Sequence, residues 1–448
     1  METKKPFESI IIIEIDDDDI EDENEEINIF SEYFNDDNLK KSESLEVIIN
    51  NEEVEYKKYY KFEKEKNKIN KIELKFDDKL NNCQNMFYNC NKLKKIDLSK
   101  FNTKNVTNMS GMFSYLHIKE LILGNFETSK VSDMSKMFEG FILDTKNKDN
   151  NEITKNGKID LDLSSFNTER VSNMRCMFKY SNLKKIDISK FNPKNVIDMI
   201  EMFYVCNLEN IDLSSFNIQN VKNMEEMFKS SYLKTINLSC INASNLINMT
   251  EMFSSCEKLE RVNLKEFKAE KITDMSQMFY NCKSLIEIDL TSFATNNVNN
   301  MCKMFSNCEK IKDLNLSSFE TSKVTLMNEM FYNCKSLEKI IFGKKFNTIN
   351  VKQMCGMFYG CSNIEKIDLS IFNTQNVNDM SGMFYECSKI KILIFSKNFN
   401  TKNVENMCGM FLGCSNLEEI DLSLFDTRNV SNISGMFEEC SKLKNIIN

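Results

Sequence analysis

Fourteen Met-Phe pairs recur along the chain, opening at Met86, Met112, Met137, Met177, Met202, Met227, Met252, Met278, Met304, Met330, Met357, Met383, Met410 and Met436. Neighbouring pairs lie 25 to 27 residues apart, except across one interval of 40. A fixed period of this size is the signature of a stacked-coil solenoid, in which each repeat is one supersecondary unit. A single repeat cannot enclose its own apolar face, so stacking is obligatory. The pattern therefore constrains the fold far more than it constrains the function, which lies in what the scaffold displays.

One coil reads "LKKIDLSKFNTKNVTNMSGMFSYL" from Leu93. Leu93, Ile96 and Leu98 are apolar, and the alternation around Ile96 and Leu98 predicts a short strand. "FNTKN" then turns the chain, with Thr103 and Asn105 as N-cap candidates. Val106, Met109, Met112 and Phe113 fall on one side of a short helix. The expected fold class is an α/β repeat solenoid of about 14 coils, each a short parallel strand plus a short helix. Of 27 Met, one is the first residue, 14 open the pairs and 12 sit three residues before a pair. Twelve further Phe follow the strand, as Phe101, Phe216 and Phe425 do. This regularity assigns sulfur and ring to core packing rather than to an adaptable binding groove.

Residues 1–80 hold 13 Lys+Arg against 25 Asp+Glu, and residues 14–26 hold ten acids. Residues 1–44 are expected to be an acidic, disordered tail, residues 45–69 an N-terminal cap over a first coil at "KIELKF" (Lys71–Phe76), and residues 70–448 the solenoid. A polar stretch at 144–158 reads as a projecting loop, either a tolerated insertion or a partner site. The sequence ends within "LKNIIN", an edge expected to be frayed, capped by another chain or truncated.

Ten of 16 Cys fall four residues after a pair-opening Met, with Leu116, Phe141, Ser181 and Ser231 in the other four places. Such replacements fit a small core position, so reduced structural thiols are expected over disulfides or metal. The outward strand position carries Asp97, Asp162, Asp187, Asp212, Asn237, Asn263, Asp289, Asn315, Asp368 and Asp421, interrupted by Ile122, Ile341 and Ile394. These ten residues form the candidate interaction face, meeting a basic partner or a divalent cation. The competing account is that lysines such as Lys95, Lys185, Lys339 and Lys366 screen them and that they keep an open sheet soluble. His117 is the single histidine and no phosphate-cradling Gly motif is present. No catalytic residue, cofactor or metal is therefore expected. The near-neutral repeat region argues against nucleic-acid binding.

The unit "CxxLxxIDLSxFNTxNVxxMxxMF" resembles the repeat of BspA-like leucine-rich repeat surface proteins, in particular the mycoplasma-type repeat of otherwise unknown function, across residues 70–448. The resemblance implies a right-handed leucine-rich-repeat solenoid with a binding or adhesion role, often at cell surfaces, and supplies no catalytic residues. The short "IIII" at Ile10–Ile13 runs into acid rather than a signal-peptide cleavage site, and no apolar run reaches the about 20 residues of a membrane span; both point to an intracellular chain without membrane insertion. The leading expectation is a non-enzymatic protein-interaction scaffold with a protein partner. The alternatives are a surface adhesin and an enzyme with its site in the 144–158 insertion.

Overall fold

A computed structural model describes residues 9–16, 20, 25–42, 44–62, 68–77, 80–124, 126–144, 161–239 and 241–447. The chain divides into two compact units, Met1–Asn217 and Ile218–Asn448. Each is a stack of coils, and the fourteen Met-Phe arcs make about 13 turns of solenoid. Most coils carry a short strand paired in parallel with a neighbour, as Arg261–Asn263 pairs with both Thr235–Asn237 and Glu287–Asp289.

The expected short helix is absent from every Met-Phe segment; a chain of β-turns takes its place. Around Met86, the Met86, Tyr88 and Cys90 N–H groups bond back three residues to Cys83, Asn85 and Phe87. The intervening N–H groups leave the coil: Cys83, Asn85, Phe87 and Asn89 donate to the Asn108, Ser110, Met112 and Ser114 carbonyls of the next coil. A helix over the same residues would leave its first four N–H groups without an intrahelical partner and turn the rest into its own coil, and so short a helix is marginal in water. The turns divide these donors between closing the coil and joining it to its neighbour. This geometry needs left-handed residues at the third position of the first and last turns. In all fourteen arcs the residue before Met and the third residue after it have φ between 50° and 75°. The apolar spacing of three to four residues that reads as helical is equally the spacing of consecutive turns.

Identical side chains stack in columns between coils. The Met-Phe rings lie nearly parallel, at 5.4 Å and 1° for Phe178 and Phe203, and 5.5 Å and 2° for Phe228 and Phe253. Strands stack about 4.8 Å apart, so these centroid distances describe offset-stacked rings. Both methionine columns are buried throughout, from Met86 at 0% to Met436 at 6% exposure. Thr103 and Asn105 cap no helix. The buried Thr103 hydroxyl donates to the Glu127 carbonyl (3.0 Å) and accepts from the Glu127 N–H (2.8 Å) of the next coil; Thr321, Thr348, Thr374 and Thr401 repeat this exchange. Asn105 accepts from Lys130 (2.9 Å). Equivalent amides at Asn350, Asn376 and Asn403 donate to carbonyls of the preceding coil at 2.6 to 2.7 Å.

The cysteine column belongs to the same scheme. The thiols of Cys282, Cys308, Cys334, Cys361, Cys387 and Cys414 each donate to the carbonyl of the preceding coil's Met-Phe phenylalanine at 3.1 to 3.2 Å. These thiols are free and buried. Burial pushes Cys334 and Cys387 up to about 12. A neutral S–H donor, rather than a ligand or a nucleophile, is what this position uses.

The N-terminal unit opens with nine strands: β1 (Ser9–Asp16), β2 (Ile27–Asn28), β3 (Glu46–Ile49), β4 (Glu52–Val54), β5 (Tyr59–Tyr60), β6 (Ile69–Phe76), β7 (Lys95–Lys100), β8 (His117–Ile118) and β9 (Glu120–Ile122). A one-turn helix, Asp37–Lys40, lies between β2 and β3. Six strands form one sheet in the order β4-β3-β6-β1-β7-β9. Ile13 of β1 sits between Ile72 of β6 and Ile96 of β7, with antiparallel pairing on both sides. The expected disordered tail therefore does not hold for Ser9–Asp16: Ile11, Ile13 and Ile15 are fully buried, because their period-2 spacing gives β1 an apolar face before the acids begin. The parallel stack begins at β7, not at Lys71–Phe76, which lies in β6. Asp16 pairs with Lys94 and Glu25 with Lys92 (3.1 Å), so part of the acidic stretch docks on the first coil. Residues 17–19 and 21–24 lie outside the described residues.

This cap reproduces a coil edge without a repeat sequence. Phe30 packs against Phe87 with the rings tilted (5.5 Å, 43°), and the Ser31 N–H reaches the Met86 carbonyl (2.9 Å) as a preceding arc would. Ser9 Oγ accepts the Asn102 N–H (3.2 Å), the bond made elsewhere by the buried threonine. Phe76 stands 6.1 Å from Phe101, the separation of Phe101 from Phe126. At the other end Asn445–Ile447 is a formed strand parallel to Glu419–Asp421. Of the 144–158 insertion only Asp144 is described. Among the described residues no helix is long and apolar enough to cross a membrane.

Val205 occupies a left-handed position at φ 50°, a conformation unfavourable for a β-branched residue. Asn fills the same place at Asn281, Asn307 and Asn333. Val205→Asn is expected to stabilise the N-terminal unit by about 1 kcal/mol, read as a higher denaturant midpoint with an unchanged slope.

Candidate interaction face

Nine of the ten outward Asp and Asn residues lie at or near the end of a strand, Asp212 lies in the corresponding segment of its coil, and all ten have the same local bond. Each Oδ1 accepts the backbone N–H two residues on, at 2.8 Å for Asp97 and Asp162 and up to 3.1 Å for Asn315. Asp187, Asp212, Asn237, Asn263, Asp289, Asp368 and Asp421 lie within that range. These are Asx-turns, which bend the chain out of the strand. The signal is present in the sequence as Asp-Leu-Ser and its variants.

Hydrogen bonds set the electrostatics. The hydroxyl and N–H of Ser189 hold the Asp187 carboxyl below its ordinary range, and Ser214, Thr291, Ser370 and Ser423 do the same for Asp212, Asp289, Asp368 and Asp421. Thr291 adds a hydroxyl donor to Asp289 at 2.7 Å. Asp162, Asp212, Asp368 and Asp421 are exposed, and Asp97, Asp187 and Asp289 are half-buried.

Register decides which of the ten meet. Asp162 lies opposite Asp187, and Asn237, Asn263 and Asp289 form one column. Asp97 instead faces Ile122. From Asn315 onward the two types alternate coil by coil: Asn315 faces Ile341, Asp368 faces Ile394, and Asp421 faces Ile447. The isoleucine coils have no Asx-turn. In one of them Gly343 passes so close to Ser317 that a Cβ would lie 2.0 Å from its carbonyl oxygen.

The flanking charges pair with one another between coils, as Lys95–Glu120 (3.2 Å), Arg261–Glu287 (3.3 Å) and Lys391–Glu365 (3.0 Å) do. These exposed pairs contribute little stability, but they leave the face with charges of both signs. Among the described residues no group of three or more His, Cys, Asp or Glu side chains is arranged to hold a metal ion.

Asp368→Ala should cost about 1 kcal/mol through loss of the turn bond, whereas Asp368→Asn, which keeps an Oδ1 acceptor, should cost little. The lowered carboxyls stabilise the fold fully above their unfolded values near pH 4. That stabilisation is lost as pH falls through the lower folded values. The thermal midpoint should drop below about pH 4, and less steeply in Asp187→Asn/Asp212→Asn/Asp289→Asn.

No curated protein sequence matches this chain. Among solved structures it is similar to a leucine-rich repeat protein from Bacteroides ovatus, at 18% identity over 62% of this chain and 78% of that one, with a TM-score of 0.30. A leucine-rich repeat protein from Eubacterium ventriosum is 15% identical over 62% and 78%, with a TM-score of 0.30. A leucine rich cell surface protein from Faecalibacterium prausnitzii is 12% identical over 62% and 79%, with a TM-score of 0.18. The repeat is of the kind found in BspA-like leucine-rich repeat surface proteins. Matched over residues 57–156, 148–264, 212–317, 247–367, 300–396 and 354–448, the chain belongs to the family described as Mycoplasma protein of unknown function, DUF285.

Proposed function

We propose that the chain is a non-enzymatic protein-interaction scaffold whose strand face, including the ten outward Asp and Asn residues, binds a protein partner. The observation that carries this reading is the alternating row of the C-terminal unit. Ile341 is 40% exposed in register with Asn315, and Ile392, two residues before Ile394 and opposite Lys366, is 50% exposed. Packing within the coils does not require branched apolar side chains in water. Apolar groups set among carboxylates and amides have the composition of a recognition surface. The surface carboxylates favour a partner with basic groups at its rim, which would steer association more than add affinity.

A second reading, display at the cell surface as an adhesin, is favoured by the family's likeness to BspA-like surface proteins. Protease treatment of intact cells separates the two locations: loss of the repeats means display, and full protection means an internal scaffold.

The binding reading is tested on partners cross-linked to the full chain. Ile341→Lys/Ile392→Lys should abolish their capture. Asp187→Asn/Asp212→Asn/Asp289→Asn should weaken it about tenfold, or about 1.4 kcal/mol, and flatten its salt dependence. Unaltered capture and salt dependence in both folded variants would remove the strand face from the mechanism.

A further inference from the structure

A groove of about 510 Å³ opens on the turn arcs of the first three coils, away from the strand face, and its walls include Tyr88, Tyr115, Asp133, Lys136 and Glu139. Its size is within the range of small-molecule sites. The Tyr88 and Tyr115 rings meet edge to face at 5.9 Å and 75°, and Tyr33 of the cap stands edge-on to Tyr88 at 5.5 Å and 87°. Tyr115 is 41% exposed, and Glu139 only 7%. The Tyr115 hydroxyl donates to Glu139 Oε1 at 3.5 Å. Lys136, the only cation among the lining residues, lies 3.6 Å from Glu139 with most of its side chain in solvent. Glu139 therefore faces one loosely held ammonium, and Asp133 lines the same groove while accepting from the Ser135 N–H (2.8 Å) and the Asn173 amide (3.4 Å).

The same unit shows what such an arrangement takes. In a later pair of coils Tyr180 and Tyr204 meet edge to face at 5.4 Å and 90°. The Lys179 ammonium lies 5.1 Å and 4.7 Å from the two ring centroids and 2.7 Å from Glu201 Oε1. Tyr180 and Tyr204 hold the same two arc positions as Tyr115 and Tyr88: the third and the second residue after the pair-opening Met. An edge-to-face tyrosine pair beside a half-buried carboxylate is thus already an ammonium site in this fold, filled by the chain's own lysine. In the C-terminal unit Lys258 stands 4.3 Å over the Tyr232 ring.

We propose that the Tyr88–Tyr115–Glu139 groove binds an alkylammonium group, whether a free quaternary amine or the side chain of a lysine. The ring faces attract the cation through their quadrupoles, Glu139 and Asp133 supply the negative charge, and Lys136 is the competitor that the ligand displaces. The site is independent of the strand-face reading.

The test is calorimetric titration of the full chain with choline, with Nα-acetyl-lysine methylamide, with the neutral isostere 3,3-dimethylbutan-1-ol and with a neutral disaccharide. The chain has no Trp, so tyrosine emission reports ring contact in parallel. Either or both cations should saturate the site, with the alcohol and the disaccharide at least tenfold weaker. Tyr115→Asn, which suits the left-handed backbone there (φ 53°), and Glu139→Gln should each weaken binding at least fivefold. Lys136→Met, at an exposed position that does not threaten folding, should tighten it. The proposal fails if neither cation binds, if the alcohol or the disaccharide binds as tightly, if folded Tyr115→Asn keeps full affinity, or if Lys136→Met leaves the affinity unchanged.

Discussion

The structure depends on how each Met-Phe arc distributes its amide hydrogens. One set closes turns within the coil and the alternate set crosses to the next, so every arc is both a bend and a rung. The left-handed residues are the cost of this arrangement. Fifteen of them are neither Gly nor Asn, Glu201, Lys303 and Val205 among them, each carrying conformational strain that the inter-coil bonds must exceed. Buried N–H groups left unpaired would cost more, which is why the strain is tolerated in every repeat.

Once the backbone is fixed in this way, the side-chain columns follow. Phenylalanines can stack only because successive arcs are in register. The threonine hydroxyls, asparagine amides and cysteine thiols each find a carbonyl or an N–H one coil away at the same offset. These columns fill the interior and its corners, and they leave the strand face as the surface where residue type is least dictated by stacking. The exposed isoleucines of the C-terminal unit stand on that surface.

Much of this was legible in the residues. The Met-Phe period gives the solenoid, and the burial of both methionine columns follows from their shared spacing with Phe. The Cys column reads as a core position because Leu116, Phe141, Ser181 and Ser231 substitute in it. The helix was misread because Val106, Met109, Met112 and Phe113 suit a helical face and a run of turns equally well. The pair Gly111 and Gly140 flanking Met-Phe segments was the discriminating sign. Residues 9–16 were misread because the acid-rich stretch beginning at Glu14 outweighed the alternation of Ile11, Ile13 and Ile15. The Asx-turn role of the outward acids was visible as a serine or threonine two residues on, as at Ser99, Ser189 and Thr291. The tyrosine groove was not visible, since it joins Tyr88, Tyr115 and Glu139 from three coils through coil geometry alone.

The alternation of Asx and isoleucine coils from Asn315 onward means that this part of the molecule counts in twos. Gly360 and Gly413 recur two coils apart with Glu386 and Glu439 in the alternate coils, and likewise Cys355 and Cys408 with Ser381 and Ser434. Duplication or loss of a single coil during unequal recombination would set isoleucine beside isoleucine and break the rhythm of the surface while leaving the stack intact. Gain or loss of a coil pair would preserve both. Length variation among relatives should therefore accumulate in even steps wherever the surface pattern, rather than the scaffold, is under selection.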